Sequence, residues 1–304
     1  FFLWTSFSKP HPPLDPPEPY YSMYRQNEIP EPFVGDWAQD DCPVTIRRFW
    51  DRHGANDLTP EIIREARAAY YGLITQIDFN LGRVFAALRE SGQWKNTIIV
   101  YTSDHGEFVG DHGGVAKGFF HESSAHVPFV LRLPPNEPWT TSDRTSDDLV
   151  CLADIYPTLL SAAGVDVPDS VDGTNLLPIV QGEAGPSDRR IVSVYATSKE
   201  DCYQLAVTDG RWKYLWFPEG PSEQLFDLQS DPQELHNLAG NNFTKEIQAE
   251  LHQAIVDELT AKNSPYVEDG NLWQYPVVND PPGFRAAHGH PGYALEDADR
   301  DARH

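Results

Sequence analysis

Residues 97–107 read TIIVYTSDHGE, a β-branched and aromatic run that stops abruptly at polar residues and a glycine. The apolar part, residues 97–102, predicts a short central strand of a parallel sheet, because such strands are covered on both faces and carry continuous apolar runs. Asp104 and His105 follow at its carboxyl end, where open α/β sheets place their ligand crevices. This stretch therefore predicts an α/β fold and the place of its functional site.

The segments on either side of this strand favour the same fold class. Residues 59–61 read TPE, which supplies an N-cap oxygen, a proline at the first helical position and an acid near the positive end of the helix dipole. Apolar residues then recur at helical spacing until Gly92. A second strand is predicted at 127–133 and a short helix at 154–164. This order predicts a mostly parallel sheet flanked by helices.

The beginning of the chain is apolar and then rich in proline. Residues 1–7 predict a further strand covered on both faces. The stretch from there to about residue 56 predicts a stiff, irregular loop, because proline fixes φ and removes a backbone donor. Since the chain lacks an initiator Met, we expect residue 1 to be an internal cut, with any targeting segment upstream.

Beyond about residue 190 the pattern changes to short strands separated by turns, which predicts an antiparallel meander. A final amphipathic helix is predicted at 245–262. We therefore expect an α/β domain over residues 1–188, a small subdomain of antiparallel strands plus a helix over 189–262, and an irregular tail over 263–304.

The charge balance excludes some partners. The chain has 46 acidic and 23 basic residues and a formal net charge of −23, so binding to nucleic acid or to an anionic membrane is not expected. No apolar run approaches the ~20 residues of a transmembrane helix. The three cysteines, Cys42, Cys151 and Cys202, show no CxxC spacing, which argues against a zinc knuckle or a disulfide framework. They leave the compartment open, and we favour a periplasmic or secreted location over the cytoplasm.

Asp104 and His105 are the first candidates for a site. A carboxylate beside an imidazole suits a divalent cation, and Gly106 lets the backbone turn without a Cβ so that an ion can approach. The alternative is an aspartate that caps a helix, next to an incidental histidine.

Several cationic side chains could bind an anion. Lys117 is one of only seven lysines and lies in a glycine-rich loop, where a point charge on a flexible stem could neutralise a sulfate or phosphate oxygen. Lys9 and His11 lie in the proline-stiffened loop, whose rigidity would lower the ordering cost of binding. His121 is a further donor in the loop of Lys117. For each, the alternative is an ordinary surface or structural side chain.

Taken together, these motifs resemble the sulfatase family, of the alkaline phosphatase superfamily. The segments that carry the resemblance occur in the family's order: Ser8–Pro13 (SKPHPP), Thr102–Glu107 (TSDHGE), the run Gly110–Pro128 with Lys117 and Glu122, Asp154–Leu159 (DIYPTL), Asp172–Leu177 (DGTNLL) and the hairpin from Arg211 to Leu238, with Lys213 and Glu234. The match runs from residue 1 to about 262.

The resemblance implies a sulfuric ester hydrolase with a divalent metal. It implies that Asp104 and His105 bind Ca²⁺ or Mg²⁺ together with two acids nearer the N-terminus. It further implies that His11 and Lys117 bind the sulfate group and assist the leaving oxygen. We expect Lys9 and His121, as donors in the same two loops, to be additional substrate contacts. The expected substrate is a small-molecule or carbohydrate sulfate ester, an aryl or a sugar sulfate. The oligomeric state stays open.

One part of the family's machinery is not found in this sequence. The nucleophile of sulfatases is a formylglycine made from Cys or Ser in a Cys/Ser-x-Pro-x-Arg motif. Cys42 is followed directly by Pro43, and neither Cys151 nor Cys202 has a proline nearby. Asp40-Asp41 lies after the Pro-His loop and so does not correspond to the N-terminal acid pair. We expect the nucleophile upstream, and the chain alone to be inactive.

Other interpretations of the same residues remain open. A phosphonate monoester hydrolase or phosphodiesterase of the same superfamily shares the Ser-Asp-His-Gly-Glu motif and the loop lysine. A non-catalytic relative is the third possibility. The tail could fold over the crevice and contact a sugar or pack loosely on the surface; the residues in question are Trp273, Tyr275, Arg285, His288 and His290.

Overall fold

The computed structural model describes residues 1–135, 145–183, 185, 188–196 and 203–277. Two compact units divide the described residues. The first unit contains residues 1–92 and 107–117, and the second contains residues 93–106 and 118–277 with the gaps just given. The predicted division into residues 1–188, 189–262 and 263–304 stays a prediction.

The described residues form seven α-helices and eight β-strands. The α-helices are α1 (Tyr20–Arg25), α2 (Val44–Arg52), α3 (Pro60–Glu90), α4 (Glu122–Ala125), α5 (Ile155–Ala162), α6 (Leu177–Val180) and α7 (Lys245–Ala261). The strands are β1 (Ile99–Thr102), β2 (Phe129–Arg132), β3 (Ile191–Ala196), β4 (Tyr203–Thr208), β5 (Trp212–Phe217), β6 (Ser222–Asp227), β7 (Val267–Glu268) and β8 (Asn271–Leu272). None of these helices combines the length and the apolar character needed to cross a bilayer.

Helix α3 confirms the helix predicted after Thr59. The Thr59 hydroxyl accepts from the backbone N–H of Ile62 at 3.3 Å, which satisfies a donor that the first helical turn leaves open. The helix has 31 residues and buries its apolar stripe, including Leu73 and Ile77. Helix α1 packs against it, and a Cβ on Gly72 would come within 2.9 Å of the Tyr20 carbonyl oxygen. A glycine is therefore required where the two helices approach.

The start of the chain differs from the prediction. Residues 1–7 form no strand, and the side chains of Phe1 and Trp4 are 86% and 77% exposed. An apolar run alone does not reveal whether a partner strand exists to pair with it, and no described strand does so here. The region 8–56, predicted to be irregular, contains α1 and α2. Helix α2 places Ile46 and Trp50 in the core of the first unit.

Strand β1 is present where it was predicted, but its pairing is different. It pairs antiparallel with β2, with Ile99 opposite Arg132 and Thr102 opposite Phe129. All four β1 residues are only half-buried, so β1 is not a central parallel strand in the described part of the chain. A β-branched apolar run fits parallel and antiparallel partners equally well, which is why the sequence alone did not reveal the pairing.

The predicted antiparallel meander is confirmed in the second unit. Strands β3, β4, β5 and β6 lie side by side in sequence order, each antiparallel to the next. Helix α7 packs on this sheet and ends at Ala261, one residue before the predicted end. The core between them contains Leu205, Tyr214, Leu225, Leu251 and Ile255, each fully buried. Burial of these apolar side chains holds the helix to the sheet.

Candidate functional site

Asp104 and His105 lie directly after β1, in the second unit. The Asp104 side chain is 83% exposed and that of His105 is 35% exposed. The Asp104 Oδ1 atom accepts from the backbone N–H of His105 at 3.0 Å, and the Ser103 hydroxyl donates to the His105 carbonyl oxygen at 2.9 Å. These local bonds hold the turn and leave the second carboxylate oxygen, Oδ2, directed toward the imidazole.

The arrangement of Asp104 and His105 fits two ligands of one divalent cation. The His105 Nδ1 atom lies 2.8 Å from the Gly106 carbonyl oxygen, so this nitrogen is the hydrogen-bond donor, and in the neutral tautomer that this bond selects Nε2 has the lone pair that a metal needs. Nε2 is 3.6 Å from Asp104 Oδ2, a separation that an ion at about 2.3–2.6 Å from each atom could bridge. Among the described residues, no group of three or more His, Cys, Asp or Glu side chains could hold a metal ion.

The backbone of Gly106 is held tightly against α4, also in the second unit. Its N–H donates to the Ser124 carbonyl oxygen at 2.7 Å. A Cβ at residue 106 would lie 2.3 Å from the Ser123 carbonyl oxygen, closer than two such atoms can approach. The glycine is therefore needed for close backbone packing, and the position of α4 determines where the chain runs just after His105.

Lys117 ends a tightly wound loop of the first unit, residues 107–117. The backbone N–H of Phe108 donates to the Ala116 carbonyl at 3.0 Å, and Arg67 forms an ion pair with Asp111 at 2.9 Å. Val109 and Ala116 have positive φ values of 42° and 64°, which L-residues rarely adopt. Strained backbone of this kind persists only where surrounding contacts impose it, and it is common at functional sites.

The ammonium group of Lys117 has a neighbour that the sequence did not suggest. Lys117 is half-buried, and no hydrogen bond or ion pair within the described part of the chain engages it. His53, at the end of α2 in the same unit, stacks on Phe49 with ring centroids 4.0 Å apart. Burial lowers the pKa of His53, and the positive charge of Lys117 lowers it further. A lowered pKa favours the neutral imidazole, so the positive charge at this place comes from Lys117 and not from His53.

Lys9 and His11 lie in the first unit, in the proline-rich loop. Lys9 donates to the Pro13 carbonyl oxygen at 2.5 Å and forms an ion pair with Asp15. This carboxylate already balances the charge of Lys9, so the lysine is a weaker candidate for anion binding than the sequence suggested. The Nδ1 atom of exposed His11 lies 2.7 Å from the Pro12 carbonyl oxygen. His11 remains a candidate because its ring is accessible.

His121 has a structural position in the second unit. Its side chain has no exposed surface, its Nε2 atom lies 2.9 Å from Gln224 Oε1, and its ring meets that of Phe226 edge-on. A residue buried in this way cannot contact a substrate in this conformation. We therefore replace the predicted substrate contact at His121 with a packing role between the loop and β6.

A buried group of charges in the second unit was not recognised as a site from the sequence. The group consists of one lysine in contact with two glutamates: Lys213, Glu122 and Glu234. Glu122 is the first residue of α4, and Lys213 and Glu234 are only 4% and 0% exposed. All three belong to motifs that carry the sequence resemblance, but spacing alone gave them no role. Their sequence separations, 91 and 21 residues for the two contacts of Lys213, explain why.

The candidate residues are divided between the two units. The second unit contains Asp104 and His105, and the first contains Lys9, His11 and Lys117.

The tail residues Trp273 and Tyr275 pack in the second unit, where the Trp273 ring contacts those of Tyr203 and Tyr266. Whether the tail also contacts a sugar stays a prediction. The candidates Arg285, His288 and His290 lie outside the described residues.

Comparisons with known proteins agree with these motifs. A family model described as Sulfatase matches residues 1–165, and one described as N-sulphoglucosamine sulphohydrolase, C-terminal, matches residues 110–261. The chain is 38% identical over 279 residues to an arylsulfatase of Clostridium perfringens, covering 91% of this chain and 57% of that protein. It is 34% identical over 270 residues to the multifunctional alkaline phosphatase superfamily protein PehA of Trinickia caryophylli, covering 79% and 52%.

A similar solved structure is that of a phosphonate monoester hydrolase of Agrobacterium radiobacter. It superimposes with a TM-score of 0.70 and 28% sequence identity, covering 88% of this chain and 59% of that chain. In all these comparisons the chain spans little more than half the length of the protein it matches.

Proposed function

The chain belongs to the sulfatase family and has the α/β fold of the alkaline phosphatase superfamily, and from this we propose that it is part of an enzyme that hydrolyses sulfate esters. The substrate class is a small aryl or sugar sulfate. The observation that carries the proposal is the pair of Asp104 Oδ2 and His105 Nε2, 3.6 Å apart at the end of β1. A carboxylate and an imidazole so placed suit a metal that assists ester cleavage.

The roles of the chain's own residues follow from their charge and surroundings. Asp104 and His105 would hold Ca²⁺ or Mg²⁺, which when bound offsets negative charge on the sulfuryl oxygens. Lys117 places an ammonium group, half-buried and held by a rigid loop, where it can neutralise a sulfate oxygen. His11 can donate a proton toward the leaving oxygen, since its ring is exposed.

We propose that the nucleophile is a formylglycine in an upstream segment. Burial raises the pKa of the Cys42 thiol to about 12, and burial also raises that of Cys151. A reactive cysteine needs the opposite shift, because the thiolate is the nucleophile. These two cysteines are therefore unsuited to nucleophilic catalysis, and the chain alone is expected to be inactive.

The first experiment compares the chain alone with the protein that includes its upstream segment, using 4-nitrophenyl sulfate as substrate. We expect turnover only with the longer protein. In that protein, Lys117→Ala should lower kcat/KM by about 10²–10³-fold, as loss of one charge-stabilising donor does. Lys245→Ala, at an exposed lysine on α7, is the matched control and should have no effect. Turnover by the chain alone, or full activity of Lys117→Ala, would contradict the proposal.

A second candidate function is hydrolysis of phosphonate monoesters or phosphodiesters. It is favoured by the similarity to a phosphonate monoester hydrolase and to PehA. The ratio of kcat/KM for 4-nitrophenyl sulfate to that for a 4-nitrophenyl phosphonate distinguishes the two. A ratio above one supports the sulfatase and a ratio below one supports the phosphonate hydrolase. Activity on neither substrate would indicate a non-catalytic relative.

A further inference from the structure

Three ionisable side chains form a group that we call the buried charge network: Lys213, Glu122 and Glu234, all in the second unit. Lys213 Nζ donates to Glu234 Oε1 at 2.9 Å and also donates to Glu122 Oε1. The other oxygen of Glu234, Oε2, accepts from the backbone N–H of Glu122 at 2.7 Å. One carboxylate thus holds both the lysine of β5 and the first residue of α4.

The network is costly to bury, so it requires an explanation. Two carboxylates share one ammonium group. The side chains of Lys213 and Glu234 are 5% and 0% exposed, and that of Glu122 is 23% exposed. Burial raises the pKa of Glu234 despite the nearby lysine, whereas the two carboxylates outweigh burial and raise the pKa of Lys213. Replacing buried ion pairs by apolar side chains of similar volume is often neutral or stabilising. The stability of the folded protein therefore does not explain why charged side chains are buried at this place. A need to hold neighbouring backbone in a defined position does explain it.

The geometry that the network controls is that of α4. This helix has only four residues, and it depends on outside contacts because a single helical turn is not stable alone. Lys213 pairs with Phe226 of β6 and with Thr208 of β4, so it extends from the middle of a sheet. The network therefore anchors the first residue of α4 to an inner strand of the four-stranded sheet.

Helix α4 in turn holds the backbone that follows the candidate metal ligands. The Ser124 carbonyl accepts from Gly106 N–H at 2.7 Å, and Gly106 packs so closely that no Cβ fits. His105 precedes Gly106, and its Nδ1 atom lies 2.8 Å from the Gly106 carbonyl. A displacement of α4 would therefore move the carbonyl that orients the imidazole.

We propose that the buried charge network positions Asp104 and His105 for metal binding, through α4 and Gly106. This inference rests on the proposed function, because it assigns a supporting role to residues behind that metal site. The network does not touch the ion or the substrate. Its members are positioning residues, in the way that side chains behind metal ligands orient them.

The test measures binding of Ca²⁺ and of Mg²⁺ by isothermal titration calorimetry, in the metal-free protein that includes the upstream segment. Glu234→Leu removes the acceptor for Glu122 N–H but leaves Lys213 balanced by the Glu122 carboxylate. We expect it to weaken metal binding about 10- to 100-fold. Glu234→Gln is the matched variant: its single amide oxygen can still accept from Glu122 N–H, whereas its NH2 group cannot accept from Lys213. It should therefore bind metal more tightly than Glu234→Leu does.

A control pair separates positioning from general loss of stability. Arg211 and Asp227 form an ion pair at 3.0 Å in the same unit, and neither residue belongs to the buried charge network. Asp227→Leu should leave metal affinity unchanged, although it also removes a paired carboxylate. The melting temperature in EDTA reports folding. If Glu234→Leu is unfolded, it is replaced by Lys213→Met/Glu234→Leu, which also lacks the acceptor for Glu122 N–H and leaves the Glu122 carboxylate paired with His126. The same loss of metal affinity is expected.

Two results would overturn the inference in distinguishable ways. If Asp104→Asn abolishes metal binding while folded Glu234→Leu binds as tightly as Glu234→Gln, only the positioning role is wrong. If Asp104→Asn binds metal as the parent does, the metal site of the proposed function is wrong, and the positioning role is wrong with it.

Discussion

At the scale of single residues, the surroundings of α4 decide how its charged groups titrate. Burial raises the pKa of the Glu122 carboxyl, but the hydrogen bond from His126 and the charge of Lys213 outweigh it and lower this pKa to about 2. His126 lies 2.7 Å from Glu122, one helical turn away, and is largely exposed. The contact with Glu122 raises the pKa of His126, against the smaller effects of burial and of Lys213.

We predict that NMR titration of His126 gives a pKa above its ordinary value of 6.5. Because the folded pKa is raised, the stabilising contact with Glu122 is fully present below pH 6.5 and is lost as pH rises through the folded pKa. Glu122→Gln should bring the His126 pKa back toward 6.5. His252, whose pKa is lowered by burial, is the internal control and should titrate identically in both proteins. An unchanged His126 pKa in the variant would contradict the assigned contact.

Residue type indicated the chemistry of the candidates but not their accessibility. Asp104 and His105 are neighbours in sequence, so their proximity needed no tertiary information. Lys9 and His121 were chosen by the same reasoning, yet the structure places Asp15 beside Lys9 and buries His121 against Gln224. Neither partner is recognisable from spacing, because the contact at His121 joins residues 103 positions apart.

At the scale of elements, periodic and capped segments were predictable. Helix α3 has an N-cap, a first-turn proline and a long apolar stripe, and it forms within two residues of the predicted bounds. Helix α2 was missed because its nine residues follow a proline-rich stretch and are too few for a clear period. The pairing of β1 was missed because pairing depends on a partner that the local sequence does not specify.

We predict that helix α7 contributes strongly to the stability of the second unit. Leu251 is fully buried between α7 and the meander. Leu251→Ala should lower the free energy of unfolding by about 2–5 kcal/mol, from lost burial and the cavity left behind. Urea denaturation followed by circular dichroism measures this loss.

The control for this prediction is Phe243→Ala, just before α7. The Phe243 side chain is 98% exposed, so its removal should change the free energy of unfolding by less than about 0.5 kcal/mol. Equal effects of the two substitutions would show that α7 does not pack as described.

At the scale of the whole molecule, the excess of acidic residues opposes the proposed substrates. A formal net charge of −23 repels anions over a distance set by the Debye length, and salt screens this repulsion. The local positive charge at Lys117 has to overcome that field at short range. Substrates with more sulfate groups should therefore depend more strongly on salt.

We predict that raising ionic strength from about 0.01 to 0.15 M, which shortens the Debye length from about 30 to 8 Å, favours a disulfated over a monosulfated sugar. The ratio of their kcat/KM values should rise at least about twofold, because the more highly charged substrate gains more from screening. Steady-state assays at two salt concentrations measure the ratio. A falling ratio would mean that a cationic entrance dominates the field at the site.

The sequence by itself determined the sulfatase family, the α/β class, the long helix and the C-terminal meander. These features depend on local pattern: helix caps, apolar periodicity and short motifs in a specific order. Only the tertiary structure decided that Lys9 is paired with Asp15, that His121 is buried and that β1 pairs antiparallel with β2. It also decided that the charged side chains of the buried charge network contact one another. Such contacts join residues far apart in the chain, so burial and partnership emerge only when the whole chain packs.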